Sequence, residues 1–236
     1  MTPAPKSLFN IKTLQEIILV LMIMITVKSV SDYFGINGAG SIGIWSGIIV
    51  ATIIMKRPKE KWRNYGLILP KGIRDWAINI GLALLAVIVV FLVMGFVLDP
   101  ILSYYGLEKP ADVADRFQFF LGKPVYFILY LVTVVWIGAA LGEELLMRGF
   151  LLNRLSDFFG KNKLGWFVSL VIHSTFFGIL HSYQGLAGII TTAFIALIFG
   201  TMYLISKKRL LPVILAHMII NTISLTAFYL TDGAVN

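Results

Sequence analysis

The chain contains no cysteine. That excludes a disulfide framework, a thiol nucleophile and any zinc or iron–sulfur site built on thiolates. Charge is scarce as well. Asp, Glu, Lys and Arg make up 14% of 236 residues, against roughly 25% in a typical soluble domain. Acidic residues are the scarcer kind, 12 against 20 basic, for a net charge of +8. Only three histidines occur, His173, His181 and His217, so any histidine-dependent chemistry must use these. No internal repeat or low-complexity tract is visible, which removes support for an inverted-repeat transporter.

Apolar residues, in contrast, reach 58% of the chain, and the mean hydropathy is +0.87. A soluble fold of this size cannot hide so much apolar surface. The chain is therefore expected to live in a lipid bilayer as an all-α membrane protein. In a soluble protein the basic excess would suggest nucleic acid. Here it points to basic loops retained on the cytoplasmic side, and no nucleic-acid partner is expected.

A spanning helix needs roughly 20 mostly apolar residues. Charge-free stretches place such helices at Ile17–Val27 (extending toward Tyr33), Tyr33–Met55, Trp76–Leu98 and Pro124–Gly142. Leu164–Ser206 is long enough for two, with a turn near Ser182–Gly185, and Leu210–Thr231 is the last. The expectation is seven spans, within a range of six to eight. The Gly-rich stretch Gly35–Gly43 reads as a turn, and Gly106–Phe120 and Leu151–Phe159 read as interfacial segments. Lys6 and Lys12 ahead of an apolar run resemble a signal peptide, but no small-residue cleavage site follows, so the run reads as a retained first helix.

Basic residues alternate between loops as the positive-inside rule asks. Lys6 and Lys12, then Lys56–Arg74, then Arg148–Lys163, then Lys207–Arg209 fall on one side. The expected topology has the N-terminus inside and the tail ending at Asn236 outside, in the cell membrane. We read residues 1–236 as one membrane domain, with 1–123 supplying N-terminal spans and an outer loop, and 124–231 forming the core that carries the polar motifs.

Those motifs are few. Charged groups inside spans are costly and usually functional. Lys28 and Asp32 lie near a helix end, and Glu16 suits a helix start. Glu143 and Glu144 are different, because they close a long uncharged span. On an α-helix Glu144 and Arg148 form an i, i+4 pair, which a structural salt bridge would explain. Glu143 is rotated about 100° from Glu144 and has Met147 at i+4. It is therefore either exposed to water or aimed at another part of the protein. His173, Phe177 and His181 follow at i, i+4 and i+8 on one expected helix face. His217 and Asn221 form another i, i+4 pair, able to donate hydrogen bonds to an oxyanion or to fasten helices together. Simple up-and-down span arithmetic puts Glu143 and His181 at similar depth but leaves His217 out of level.

Together, Glu143-Glu144-x-x-x-Arg148, Phe177-x-x-x-His181 and His217-x-x-x-Asn221 resemble the three motifs of the CAAX proteases and bacteriocin-processing enzymes, the CPBP or Abi family of intramembrane proteases. The resemblance covers about Gly142–Ile223. It implies a helical membrane core, a water-accessible cavity opening to the cytoplasm, and hydrolysis of a peptide bond in a peptide or membrane-protein substrate. Carried over by position, Glu143 and His181 would activate water, and His217 and Asn221 would hold the oxyanion. Glu144, Arg148 and Phe177 would support the site. His173 matches no motif position and is expected to make an interhelical hydrogen bond. Glu143, His181 and His217 are also suitable zinc ligands, although a metal-free glutamate mechanism is the reading adopted. Bacteriocin processing is one activity the resemblance suggests. Two other readings compete: a non-catalytic immunity or scaffold protein of the same fold, and an ion-coupled transporter using Glu143 and the histidines as a relay.

Overall fold

A computed structural model describes residues 10–233. Lys6 and the tail to Asn236, which enter the charge-based topology, lie outside them. Every regular element among the described residues is helical. We number seven main helices: α1 Ile11–Tyr33, α2 Ala39–Lys56, α3 Ile73–Tyr104, α4 Pro124–Phe158, α5 Lys163–Ile179, α6 Gly185–Ile205 and α7 Leu211–Leu230. Six of these are long and apolar enough to cross a membrane; α5 is apolar but has only 17 residues. Many apolar side chains stay exposed, among them Ile49, Ile53, Ile88 and Leu92. Only lipid can cover such a surface, so the chain is a multi-pass membrane protein.

Local chemistry sets the helix boundaries. The Asn10 side chain accepts from the Thr13 amide to start α1, and the Asn162 side chain accepts from the Gly165 amide to start α5. Pro124 and Pro212 sit in the first turns of α4 and α7, where their missing N–H costs nothing.

The glycine-rich stretch behaves differently from the expectation. The turn ends at Gly38, in the left-handed region at φ 86°, and Gly40 and Gly43 are already helical. A Cβ on Gly43 would come within 2.8 Å of the Met24 carbonyl, and one on Gly47 within 2.9 Å of Leu146. These glycines let α1 and α4 approach α2 closely, the packing that replaces the hydrophobic effect inside a membrane.

Helix α4 is the hub. It packs against α2 and α7 along its middle, and against α1 and α5 at its end. The expected interfacial segment Leu151–Phe159 is instead the continuation of α4 to Phe158, with Leu152–Ser156 buried. Its polar residues explain why it stays with the core. Arg154 pairs with Glu16 of α1 at 3.2 Å, Glu60 of the loop before α3 at 2.7 Å and Asp157 at 3.5 Å. Asn153 donates to the Tyr203 hydroxyl, which donates to the Tyr65 carbonyl. The other expected interfacial segment, Gly106–Phe120, lies between α3 and α4 and forms tight turns over Ala111–Phe120. Its Phe117 and Phe120 pack against Tyr130 of α4 and Phe228 of α7.

Candidate active site

The site is built on the middle of α4. From Leu131 to Leu151 this helix is wound with i→i+5 hydrogen bonds, ending where the Leu152 amide bonds to the Met147 carbonyl. Such wide turns usually occur singly and often mark functional positions; here they extend over 21 residues. The winding alters which side chains meet. On an α-helix Glu143 would have Met147 one turn on. Wider turns bring the i+5 position, Arg148, round toward Glu143 as well as Glu144.

Direct contact is with Glu144. Arg148 donates to its Oε1 at 3.0 Å, and both side chains are 0% exposed. This is the i, i+4 pair the spacing predicts. Arg148 also reaches the Ala196 carbonyl of α6. Its guanidinium lies 4.8 Å from the Phe177 ring centre and 5.5 Å from that of Phe199. A buried cation is thus held by one anion and two aromatic faces from neighbouring helices. Sequence reasoning missed Phe199 and the Ala196 carbonyl, since nothing in the spacing of α6 singles them out.

His217 is brought to the same carboxylate. Its Nδ1 lies 2.9 Å from Glu144 Oε1. A carboxylate only accepts there, so Nδ1 carries the hydrogen and Nε2 is left for another partner. Span arithmetic left His217 out of level, yet α7 reaches Glu144. Contacts then run from His217 through Glu144 and Arg148 to Phe177 and on to His181, joining the three motif-bearing segments.

His181 departs from the expected geometry. Helix α5 ends at Ile179, and His181 has left helical dihedrals at φ −101°, ψ 20°. Its Nδ1–H donates to the Phe177 carbonyl at 2.9 Å, a carbonyl that the end of the helix leaves open. His181 therefore caps α5 rather than extending its face. Its ring sits 4.8 Å from Phe177 and 6.0 Å from Tyr183 between centroids. As in His217, the Nδ1–H is engaged and Nε2 is free of that bond.

His173 also differs from expectation. It is fully buried, stacked on Phe177, and its one hydrogen-bonding neighbour is the adjacent Ser174 rather than another helix. Close packing against Gly200 of α6 holds it, where a Cβ would stand 3.9 Å from its Nδ1.

Exposure divides the motif residues into two sets. Glu144, Arg148 and Phe177 are buried, whereas Glu143, His181, His217 and Asn221 are half-exposed. Glu143 makes no ion pair or hydrogen bond among the described residues. Inside, Glu144 Oε2, Arg148 Nε and His173 Nε2 have no hydrogen-bond partner.

The donor set was tested for a metal. Both exposed histidines hold their Nδ1–H on an oxygen, the way metal-ligating histidines are commonly oriented. Among the described residues, however, no three His, Asp or Glu side chains converge closely enough to hold an ion. The side chains as placed do not form a metal centre, and the chemistry below is derived from the protein groups themselves.

Neither a curated protein nor a solved structure matches the chain. Residues 124–223 match the family model described as type II CAAX prenyl endopeptidase Rce1-like. The matched stretch runs from the first residue of α4 into α7 and includes every motif position above. The part of the chain that builds the site, residues 124–223, is therefore similar to the Rce1-like type II CAAX prenyl endopeptidases.

Proposed function

We propose that this protein is an intramembrane endopeptidase of the CAAX-protease type, hydrolysing a peptide bond in a membrane-associated or small secreted peptide. The observation that carries the reading is the division of the polar groups. Four half-exposed side chains, Glu143, His181, His217 and Asn221, stand on the segments that carry a buried Glu144–Arg148 pair or are joined to it through His217 and Phe177. A scaffold needs the buried pair but has no use for the exposed set.

In this reading Glu143 and the free Nε2 of His181 take the proton of a water molecule as its oxygen attacks the scissile carbonyl. The same proton is delivered to the leaving amine as the C–N bond breaks. Asn221 donates its amide hydrogen to the oxyanion, and His217 does so from Nε2 when protonated. The Glu144 carboxylate accepts from Nδ1–H and so orients the imidazole, and Glu144 and Arg148 act through His217. We place the protein in the cell membrane with its basic loops in the cytoplasm. His217 lies early in α7, soon after Lys207–Arg209, which supports a site facing the cytoplasmic half of the bilayer.

The test is a comparison of membrane peptides from cells carrying the wild-type protein or Glu143→Gln. Peptides that accumulate intact only with the variant are the expected result. Identical peptide profiles, with both proteins present at equal level, would refute the proposal.

A further inference from the structure

The turn between α6 and α7, Lys207-Lys208-Arg209, is built at a conformational cost. Lys207 at φ 58° and Lys208 at φ 62° are both left-handed, a region where glycine or asparagine sits more easily. The turn closes α6 as the Lys208 amide donates to the Tyr203 carbonyl at 2.8 Å, and glycine is the usual residue at such a helix end. The turn is also fixed in place. A Cβ on Gly66 would stand 2.0 Å from the Lys208 carbonyl oxygen, and the Leu210 amide donates to the Gly66 carbonyl at 3.0 Å. Strain that the surroundings hold in place clusters at functional positions, ligand clamps among them.

Arg209 spends its charge on Asp75. Lys208 has no such outlet among the described residues, because Asp157 is shared by Arg154 and Lys161, and Glu16 and Glu60 are held by Arg154. Its Nζ lies 3.9 Å from the centre of the Trp166 ring on α5. One side of the ammonium thus rests on the ring, and its donors stay open. Burial, then the charge of Lys161, lowers the Lys208 amine below its ordinary range, so a cation is crowded by a like charge. Lys163 stands two residues past Lys161, exposed and without an ion pair among the described residues. Beside these cations α5 leaves Leu164 and Phe167 exposed. Cations around an indole, followed by bare apolar side chains along the helix, repeat the order of a phospholipid from phosphate to acyl chain. We propose that Lys208, seated on Trp166 beside Lys161 and Lys163, binds the phosphate of an anionic phospholipid whose acyl chains lie along Leu164 and Phe167. The phosphate supplies the anion that the chain itself withholds, and a lysine is kept in a turn suited to glycine because its ammonium pairs with that lipid.

The experiment uses the full chain in phosphatidylcholine vesicles doped with phosphatidylglycerol brominated on its acyl chains, and reads quenching of tryptophan fluorescence. Subtracting the matching Trp166→Phe signal isolates Trp166 from the other tryptophans. Quenching and melting are read without a peptide, so the result stands apart from the protease reading. In the wild type, Trp166 should reach half-maximal quenching at about fivefold lower mole fraction of brominated phosphatidylglycerol than of brominated phosphatidylcholine, the ratio one lysine contributes near an anionic surface. Lys208→Arg should keep the preference. Lys208→Asn should remove it while melting in neutral vesicles at or above the wild-type temperature, since asparagine accepts the left-handed turn. Lys59→Asn is the matched control, because Lys59 is also left-handed, at φ 60°, and exposed in a basic loop; it should keep the preference. Three results overturn the proposal. The first is equal quenching of the wild type by both lipids. The second is an equal loss of preference in Lys59→Asn and Lys208→Asn, which reduces the basic end to a diffuse charge. The third is displacement of the brominated lipid by millimolar inorganic phosphate, which marks a site for free phosphate instead.

Discussion

Two arginines six residues apart on α4 are treated in opposite ways. Arg154 meets three carboxylates, from α1, from the loop before α3 and from its own helix, and Lys161 adds a second cation through Asp157. Arg148 is wholly buried, touches one carboxylate and one backbone carbonyl, and otherwise rests on aromatic rings. Among the described residues its Nε and the second oxygen of Glu144 have neither a hydrogen bond nor an ion pair, whereas Arg154 Nε and Asp157 Oδ1, which also lack hydrogen bonds, each face an opposite charge. At Arg154 the charges are mutually compensated, and the cluster fastens connecting segments to the helix end. At Arg148 polar capacity is left unspent in a desolvated place, with a half-exposed carboxylate and two oriented imidazoles around it. Burial alone does not distinguish a fastening from a site; incomplete satisfaction beside water does.

The comparison breaks most sharply at Glu143. Glu143→Gln should lower peptide cleavage by about 10²–10⁴-fold, the usual worth of a general base, with the melting temperature in detergent unchanged. Normal cleavage by Glu143→Gln, alongside a well-folded and inactive Glu144→Gln, would reverse the roles of the adjacent glutamates.

Next in size are the buried partners. Glu144→Gln and Arg148→Ala each strand a group that had one ionic partner, which costs roughly 3–5 kcal/mol when the survivor is a buried charge. Both variants should lose thermal stability and cleavage together, measured side by side on the same preparations. Arg154→Met tests the other pole. It should lower stability by about 1–3 kcal/mol, less than for Arg148 because its carboxylates keep some contact with water. Cleavage per folded molecule should stay at the wild-type level, and a selective loss of activity would show that the two clusters are coupled.

A smaller effect is expected at high pH. Burial, then the hydrogen bond to Glu60, pushes the Tyr65 phenol above its ordinary range. The folded state therefore favours the protonated phenol. That contribution is fully present below the unfolded value of about 10 and is lost as pH rises toward the higher folded value. Wild-type melting should fall more steeply above that point than melting of Tyr65→Phe. The smallest effect is expected from chelation. With no three ligating side chains converging among the described residues, cleavage should persist after extensive metal removal. Loss of activity restored by stoichiometric zinc would instead show that Glu143, His181 and His217 close around an ion.

Much of the molecule was legible from local pattern. Charge-free runs located all seven helices, because a bilayer forces each crossing segment to be apolar for its full length. The Glu144–Arg148 pair followed from one turn of helix. The errors had a common source, the assumption that each local signal acts alone. Gly40 and Gly43 read as turn residues but are helical, and Gly43 lets α1 approach α2 closely. Leu151–Phe159 reads as interfacial, yet its Asn153 and Arg154 find partners far along the chain in Tyr203, Glu16 and Glu60. His181 looked like the third member of a helix face, yet the helix ends before it.

Sequence by itself determined that the chain is a helical membrane protein, where its helices lie and which few polar residues interrupt them. Those properties depend on composition and on neighbours within a turn or two. Only the tertiary structure decided that His217 touches Glu144 rather than Glu143, that α4 is wound in wide turns over Leu131–Leu151, and that Arg116 stacks on Tyr183. Each of these depends on how helices distant in sequence pack, or on a hydrogen-bond register that apolar periodicity does not encode.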